Sequence, residues 1–369
     1  MELLRRAKEL ERQGMDIVHM EIGEPDFNTP PAVLAAAQDA LTRFEMKYTQ
    51  AGGLPHLREA IAHHYRRRYG LHVPSSRIFV TPGASGALLL ALAAAMPTGA
   101  KVLVADPGYP CYRNYIRLFD GLPEPVDIGR SDYRLSGDAV AGAWDAHTKG
   151  IIFASPSNPT GTVMGEAELD ELLRLVDERG GFAVSDEIYH GLEYDEHCHT
   201  ALEFSPRVFV INSFSKYFGM TGWRLGWAVV PEGYEEIAER LAQNLFISTP
   251  TLSQWAAADA FAEDNLAELE RRRSQFRERR DFLYEELAKL GFSLPARPSG
   301  AFYIYADCTA FSTDSYQFCQ DLLEQAHVAI TPGKDFGIIR PERFVRFAYT
   351  RPIDRLAEGV RRIRRFVSE

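Results

Sequence analysis

Between about Arg58 and Pro231 the chain keeps changing texture, from short apolar runs to amphipathic stretches and back. The apolar runs are Ile78–Val80, Lys101–Ala105, Ile151–Ala154, Phe182–Val184 and Val208–Ile211. They are rich in β-branched and aromatic residues and almost free of charge, as strands buried on both faces are. Between them, Glu166–Arg179 sets Leu169, Leu172, Leu173 and Val176 on one stripe at helical spacing. This alternation predicts an α/β fold, a mainly parallel sheet sandwiched by helices. Past Thr251 the texture becomes one long helical stretch to about Leu290, with Leu269, Phe276, Leu283 and Leu290 recurring along it. After Gly291, short strands at Phe302–Tyr305 and Phe344–Ala348 stand between helices at Ser315–Ala326 and Pro352–Val367, which reads as a smaller α+β domain.

In a parallel sheet, ligands bind beyond the carboxyl ends of the strands. Polar clusters follow three of the predicted strands. Ser155-Pro156-Ser157-Asn158-Pro159-Thr160-Gly161 follows the first, Ser185-Asp186-Glu187-Ile188-Tyr189 the second, and Asn212-Ser213-Phe214-Ser215-Lys216 the third. Singly, each reads as a turn or a helix cap. Together they place Asn158, Asp186, Tyr189 and Lys216 on one face. A lysine held partly desolvated there has a lowered pKa and a nucleophilic amine. The serines and Arg224, in Met220-Thr221-Gly222-Trp223-Arg224-Leu225-Gly226, suit a phosphate. Lysine, carboxylate and phosphate grip together are what pyridoxal phosphate requires.

On these motifs the chain resembles the fold-type I pyridoxal-phosphate enzymes, in their class I/II, aspartate-aminotransferase-like branch. The likeness runs from Ile22-Gly23-Glu24-Pro25-Asp26-Phe27 to Val345-Arg346-Phe347, with the motifs in the family's order. It implies a seven-stranded sheet in which Leu225–Val230 runs antiparallel. It also implies a large cofactor-binding domain over residues 42–265 and a discontinuous small domain of 1–41 and 266–369, joined by a long helix spanning about 251–290. Lys216 would be the Schiff-base lysine and Asp186 the partner of the pyridinium nitrogen, with Asn158 and Tyr189 on the phenolic oxygen. Ser213, Ser215 and Arg224 would hold the phosphate, with Ala84, Ser85 and Gly86 of Thr81-Pro82-Gly83-Ala84-Ser85-Gly86 at a helix N-terminus. Tyr109 would stack on the ring, and Arg346 would fork onto the substrate carboxylate near Gly23 and Asn158. Tyr48 would reach the phosphate of a neighbouring subunit, making a homodimer with shared active sites.

The activity so implied is ping-pong transfer of an amino group from an L-amino acid to a 2-oxo acid. Carbon–sulfur β-lyases and aminocyclopropane-carboxylate synthases share nearly all these cofactor residues, so that alternative stays open. A cofactor-sensing regulator would need a basic DNA-binding module before the matched region, and none is expected here. Dicarboxylate-specific relatives usually add a cation in the region of Gln243–Thr249, which here has no lysine or arginine. A neutral aliphatic or aromatic donor is therefore expected, with an acceptor such as 2-oxoglutarate or pyruvate.

A net charge of −10 argues against nucleic acid or an anionic membrane as partner. No apolar run approaches the ~20 residues of a membrane span. Met1–Arg6 opens a polar helix and lacks the apolar core of a secretory signal, and the four cysteines form no Cys-x-x-Cys pair, so a cytoplasmic setting is expected. Arg271, Arg272, Arg273, Arg277, Arg279 and Arg280 read as a solvated helix face interleaved with glutamates. His190, His197 and His199 lack a second cluster at ligand spacing, and no metal is expected.

Overall fold

The computed structural model describes residues 2–368. Its twelve strands in chain order are β1 (Val18–His19), β2 (Ile78–Thr81), β3 (Lys101–Asp106), β4 (Leu122–Asp127), β5 (Thr148–Ala154), β6 (Phe182–Asp186), β7 (Val208–Ser213), β8 (Gly226–Val229), β9 (Tyr303–Asp307), β10 (Val328–Ala329), β11 (Thr331–Pro332) and β12 (Phe344–Ala348). β2 to β8 form one seven-stranded sheet in the order β2-β8-β7-β6-β5-β3-β4. All its strands share a direction except β8, which pairs antiparallel with β2 and β7. Side chains of the strands other than β4 alternate between two cores: in β7, Val208 and Val210 enter one, Phe209 and Ile211 the other. That two-sided burial explains the unbroken apolar runs. The expected helical stripe is in place: Leu169, Leu172, Leu173 and Val176 are all buried along Glu166–Glu178.

β4 is a strand the apolar pattern does not announce, because Pro123 and Pro125 interrupt it. It pairs only with β3, at the sheet's edge. An edge strand tolerates proline because one row of its N–H positions has no partner strand.

The stretch expected as one helix over about 251–290 is two. A helix over Thr251–Ala258 passes into a tight turn at Asp259–Phe261, and a second helix runs from Glu263 to Leu290. The Asn265 side-chain amide donates to the Ala260 carbonyl at 2.8 Å, holding the break. The break turns Phe261 into an aromatic cluster with Phe214 and Phe218, at centroid distances of 5.6 and 5.2 Å.

The arginine-rich face of the second helix also departs from the solvated reading. Arg272, Arg279 and Arg280 are buried. Arg279 pairs with Asp26 and the Thr350 carbonyl, Arg280 with Asp195 and the Pro298 carbonyl, and Arg272 donates to the Asn28 carbonyl. Arg271 and Arg277 remain exposed. The buried arginines tether segments that are remote in sequence.

β9, β11 and β12 form an antiparallel sheet, and β1 pairs in parallel with β10. The segment after β1 is thereby led past the seven-stranded sheet, where Thr29 accepts from the Trp223 indole at 2.9 Å.

Candidate active site

Six parallel strands end on one side of the large sheet, and the exits of five carry the site residues. β2 leads through Pro82 into the helix Gly83–Ala95, β3 into Tyr109, β5 into Asn158, β6 into Tyr189, and β7 into Ser215 and Lys216. β8 runs the other way, so its beginning lies at this same side and brings Arg224 with it. Gly226 has to be glycine: a Cβ there would stand 2.7 Å from the Gly83 carbonyl carbon and 2.8 Å from the Ala84 nitrogen. Its absence lets the helix N-terminus approach the strand. Among the described residues no side chain caps that first turn, so its amides stay open towards the space in front.

That space is a cavity of about 460 Å³, a common size for a small-molecule site. Lys216 stands in its wall, and its Nζ donates to the Gly23 carbonyl at 2.6 Å. Burial lowers the lysine's pKa to about 8; Glu24 opposes the shift, while Arg346 and Arg224 add to it. Asp186 is buried and moves the opposite way, pushed up to about 6 by desolvation. The Tyr112 hydroxyl, donating at 2.6 Å, and the Ile188 amide at 3.2 Å pull it back down. Burial raises the pKa of Tyr189 and Tyr109, which keeps both as hydroxyls at neutral pH.

Arg346 closes the far end. Its guanidinium lies between the rings of Tyr303 and Phe336, at 4.2 and 4.7 Å from their centroids. Nη1 donates to Asn158 Oδ1 at 2.9 Å and Nη2 to the Glu21 carbonyl at 2.6 Å. Its Nε is buried without a partner among the described residues. A desolvated cation with an unused donor calls for an anion. The cavity thus offers an anion site where Arg224, Ser215 and the open helix N-terminus meet, a recessed amine and carboxylate in its middle, and a second anion site at Arg346.

The sequence matches the family of class I and II aminotransferases over residues 15–363. The chain belongs to that family. The valine–pyruvate aminotransferase of Mycobacterium tuberculosis is 38% identical over 365 residues, covering 98% of this chain and 94% of that one. The aspartate/prephenate aminotransferase of Thermus thermophilus is 35% identical, covering 98% and 93%. The crystal structure of an aminotransferase from Mycobacterium tuberculosis superposes with a TM-score of 0.96 at 38% identity, covering 100% and 96%.

Of the residues that the sequence of this aminotransferase marks as functional, the cavity wall gathers Gly23, Ala84, Ser85, Tyr109, Asn158, Asp186, Tyr189, Ser215, Lys216, Arg224 and Arg346. Gly86 lies one residue deeper in the helix. Ser213 lies behind the wall, its hydroxyl 2.9 Å from that of Ser215 and 3.0 Å from the Leu225 carbonyl, where it steadies Ser215. Tyr48 is not on the wall and is 80% exposed. The structure adds Tyr112, Tyr303 and Glu24. Tyr303 meets the Tyr189 hydroxyl at 2.9 Å, and Glu24 accepts from Thr221 at 2.5 Å. Glu24 stands in the Gly23-Glu24-Pro25-Asp26 run, and its adjacency to Gly23 is the one local signal that points to it. His190 is turned inward, bonded to Tyr69 and the Ser155 carbonyl, and among the described residues no cluster is placed to hold a metal.

Proposed function

We propose that this aminotransferase uses pyridoxal phosphate to move an amino group from a neutral L-amino acid to a 2-oxo acid, in two half-reactions with ping-pong kinetics. The observation that carries the reading is one cavity holding an open helix N-terminus with Arg224, a recessed Lys216, a buried Asp186, and Arg346 with an unused Nε. When bound, the cofactor supplies an aldehyde for amine exchange and a ring that draws electrons from the substrate's α-carbon. The residues do the rest. Ala84, Ser85, Gly86, Ser215 and Arg224 hold the phosphate, with Ser213 behind them. Asp186 gives a cationic ring nitrogen its counter-ion, Asn158 and Tyr189 serve the phenolic oxygen, and Tyr109 covers the ring. Arg346 fixes the substrate carboxylate, so that the Cα–H bond faces the lysine. Lys216 Nζ, whose lowered pKa makes its neutral form accessible near pH 8, takes the α-proton and returns it.

The two relatives carry names with different donors at similar identity, so membership alone does not choose the substrate. The wall favours a neutral side chain. Its cations, among the described residues, are Lys216, Arg224 and Arg346. The α-proton, the phosphate and the α-carboxylate occupy one each, which leaves no cation for a side-chain carboxylate. A second substrate carboxylate would be left unpaired, which costs several kcal/mol.

The reading includes a homodimer with shared sites. Phe44, Met46, Tyr48, Leu245 and Ile247 are exposed apolar residues on two neighbouring segments, joined where Thr251 donates to the Lys47 carbonyl at 2.6 Å. It also includes residues 42–265 as a body distinct from 1–41 and 266–369, and work in the cytoplasm, supported by four free cysteines. A panel of amino donors with 2-oxoglutarate or pyruvate, followed by cofactor absorbance and oxo-acid release, tests the whole. Branched-chain or aromatic donors should lead. Aspartate as the best donor by a wide margin refutes the substrate assignment, and release of ammonia in place of transfer refutes the reaction.

A further inference from the structure

Asp106 ends β3 and is not in the wall of the cavity, and it is buried, at 2% exposure. Its carboxylate accepts from the backbone amides of Ile338 and Ile339, at 2.8 and 3.3 Å. Two neighbours reinforce the hold. The Gly108 amide donates to the Phe336 carbonyl at 2.9 Å, and Arg113 Nη2 to the Asp335 carbonyl at 3.3 Å. Residues 335–339 are therefore bound at several points to the end of β3, its exit and the helix Pro110–Leu118 that follows. Phe336 sits in the middle of that segment, and its ring is one of the two that clasp the Arg346 guanidinium.

We infer that Asp106 is a positioning residue for substrate binding: by fixing the backbone of residues 336–339 it holds Phe336 against Arg346 and sets the arginine's geometry towards the substrate carboxylate. This rests on the reading that Arg346 receives that carboxylate. A planar cation held by two rings, two short hydrogen bonds and a long third one to the Thr331 hydroxyl at 3.5 Å loses its orientation when one ring is released. Its attraction for an anion survives, but the directional pairing of its donors does not.

Gly337 supplies an independent handle. A Cβ there would stand 2.2 Å from Asp106 Oδ1, and its three nearest atoms all belong to the Asp106 carboxylate. Alanine at 337 should therefore displace the segment only while Asp106 keeps its carboxylate.

The test uses the cofactor-loaded enzyme and two probes of one shape, 4-methylpentanoate and its uncharged amide, titrated by the cofactor's absorbance. Asp106→Ser should weaken the carboxylate about tenfold and leave the amide unchanged, with KM for the best amino donor rising and kcat nearly constant. Asp106→Asn, which can accept only one of the two amides, should fall between. Gly337→Ala should resemble Asp106→Ser, and the double variant should be no worse than Asp106→Ser alone. Equal losses for both probes, or additive losses in the double variant, overturn the inference, because they mark a general loosening of the fold. Arg346→Leu is the control. If it leaves carboxylate affinity intact, the reading of Arg346 fails and this proposal fails with it. If it abolishes that affinity while Asp106→Ser does not touch it, only the present inference falls.

Discussion

Replacing Arg346 with leucine separates binding from folding. The guanidinium is buried, clasped by Tyr303 and Phe336, and among the described residues no carboxylate pairs with it. Leucine keeps apolar volume between the rings. It strands Asn158 Oδ1 and the Glu21 carbonyl, each worth about 1–3 kcal/mol when left unsatisfied. It also removes a desolvated charge whose burial costs several kcal/mol. These effects oppose each other, so the melting temperature of the cofactor-loaded enzyme should move by only a few degrees, about 2 °C per kcal/mol at this size. Binding has no such offset. A substrate carboxylate brought into this space without its partner forfeits about 3–5 kcal/mol, roughly 10²- to 10⁴-fold in kcat/KM. Single-turnover absorbance of the amino-acid half-reaction, beside thermal melts and cofactor titration, reads all three quantities. A loss below about tenfold, ~1.4 kcal/mol, refutes the assignment, as does a variant that no longer retains cofactor.

Lys216→Ala should abolish turnover while the protein folds and holds cofactor non-covalently, and borohydride reduction of the wild type should tag Lys216 in a peptide mass map. In the cofactor-free protein the lowered pKa of Lys216 leaves the unfolded chain with more bound protons between about pH 8 and the free-lysine value of 10.5. Stability therefore gains from this group as pH rises through that window, and the gain should vanish from the pH–melting profile of Lys216→Met. Tyr112→Phe removes a donor that lowers the Asp186 pKa, so the carboxyl should titrate above about 6 by NMR in the cofactor-free variant; an unchanged or lower value contradicts the geometry. A Tyr48→Phe chain mixed with a Lys216→Ala chain should form heterodimers with one intact site and more activity than the separate variants together, whereas no gain places Tyr48 in its own subunit's site or in none.

The parts of the site legible in sequence are those that a strand exit presents as a short polar run: Asn158 after β5, Asp186 and Tyr189 after β6, Ser215 and Lys216 after β7. Their chemistry is local and out of keeping with the apolar residues before them. Tyr112 is not legible in this way, because it lies on the buried face of an amphipathic helix, Pro110–Leu118, where a tyrosine reads as core. Tyr303 reads only as one of the aromatics of a strand. Its role depends on Tyr189, 114 positions away, and no local pattern carries such a pairing. The same limit hides the buried arginines: their partners at Asp26, Asn28 and Asp195 are remote, so the interleaved glutamates suggest a solvated face. Proline conceals β4 because the pattern does not say which strand will be at the edge.

The pairing of β1 with β10 bears on how the protein is made. Val18 donates to the His327 carbonyl and Met20 to that of Ala329, and Glu21 receives Arg346 from 325 positions away. The strands of the large sheet lie within residues 78–229. During synthesis, at roughly 5–20 residues per second, that sheet can emerge and assemble while residues 18–21 still lack their partners at β10 and Arg346. The Gly23 carbonyl that accepts from Lys216 is carried by this waiting segment. In a nascent chain the segment that carries Gly23 is held near Lys216 only by its contacts there, without the β10 pairing, and the clasp around Arg346 is assembled last. Ribosome-bound chains stalled before β10 should display the lysine as a more reactive amine than the finished enzyme does.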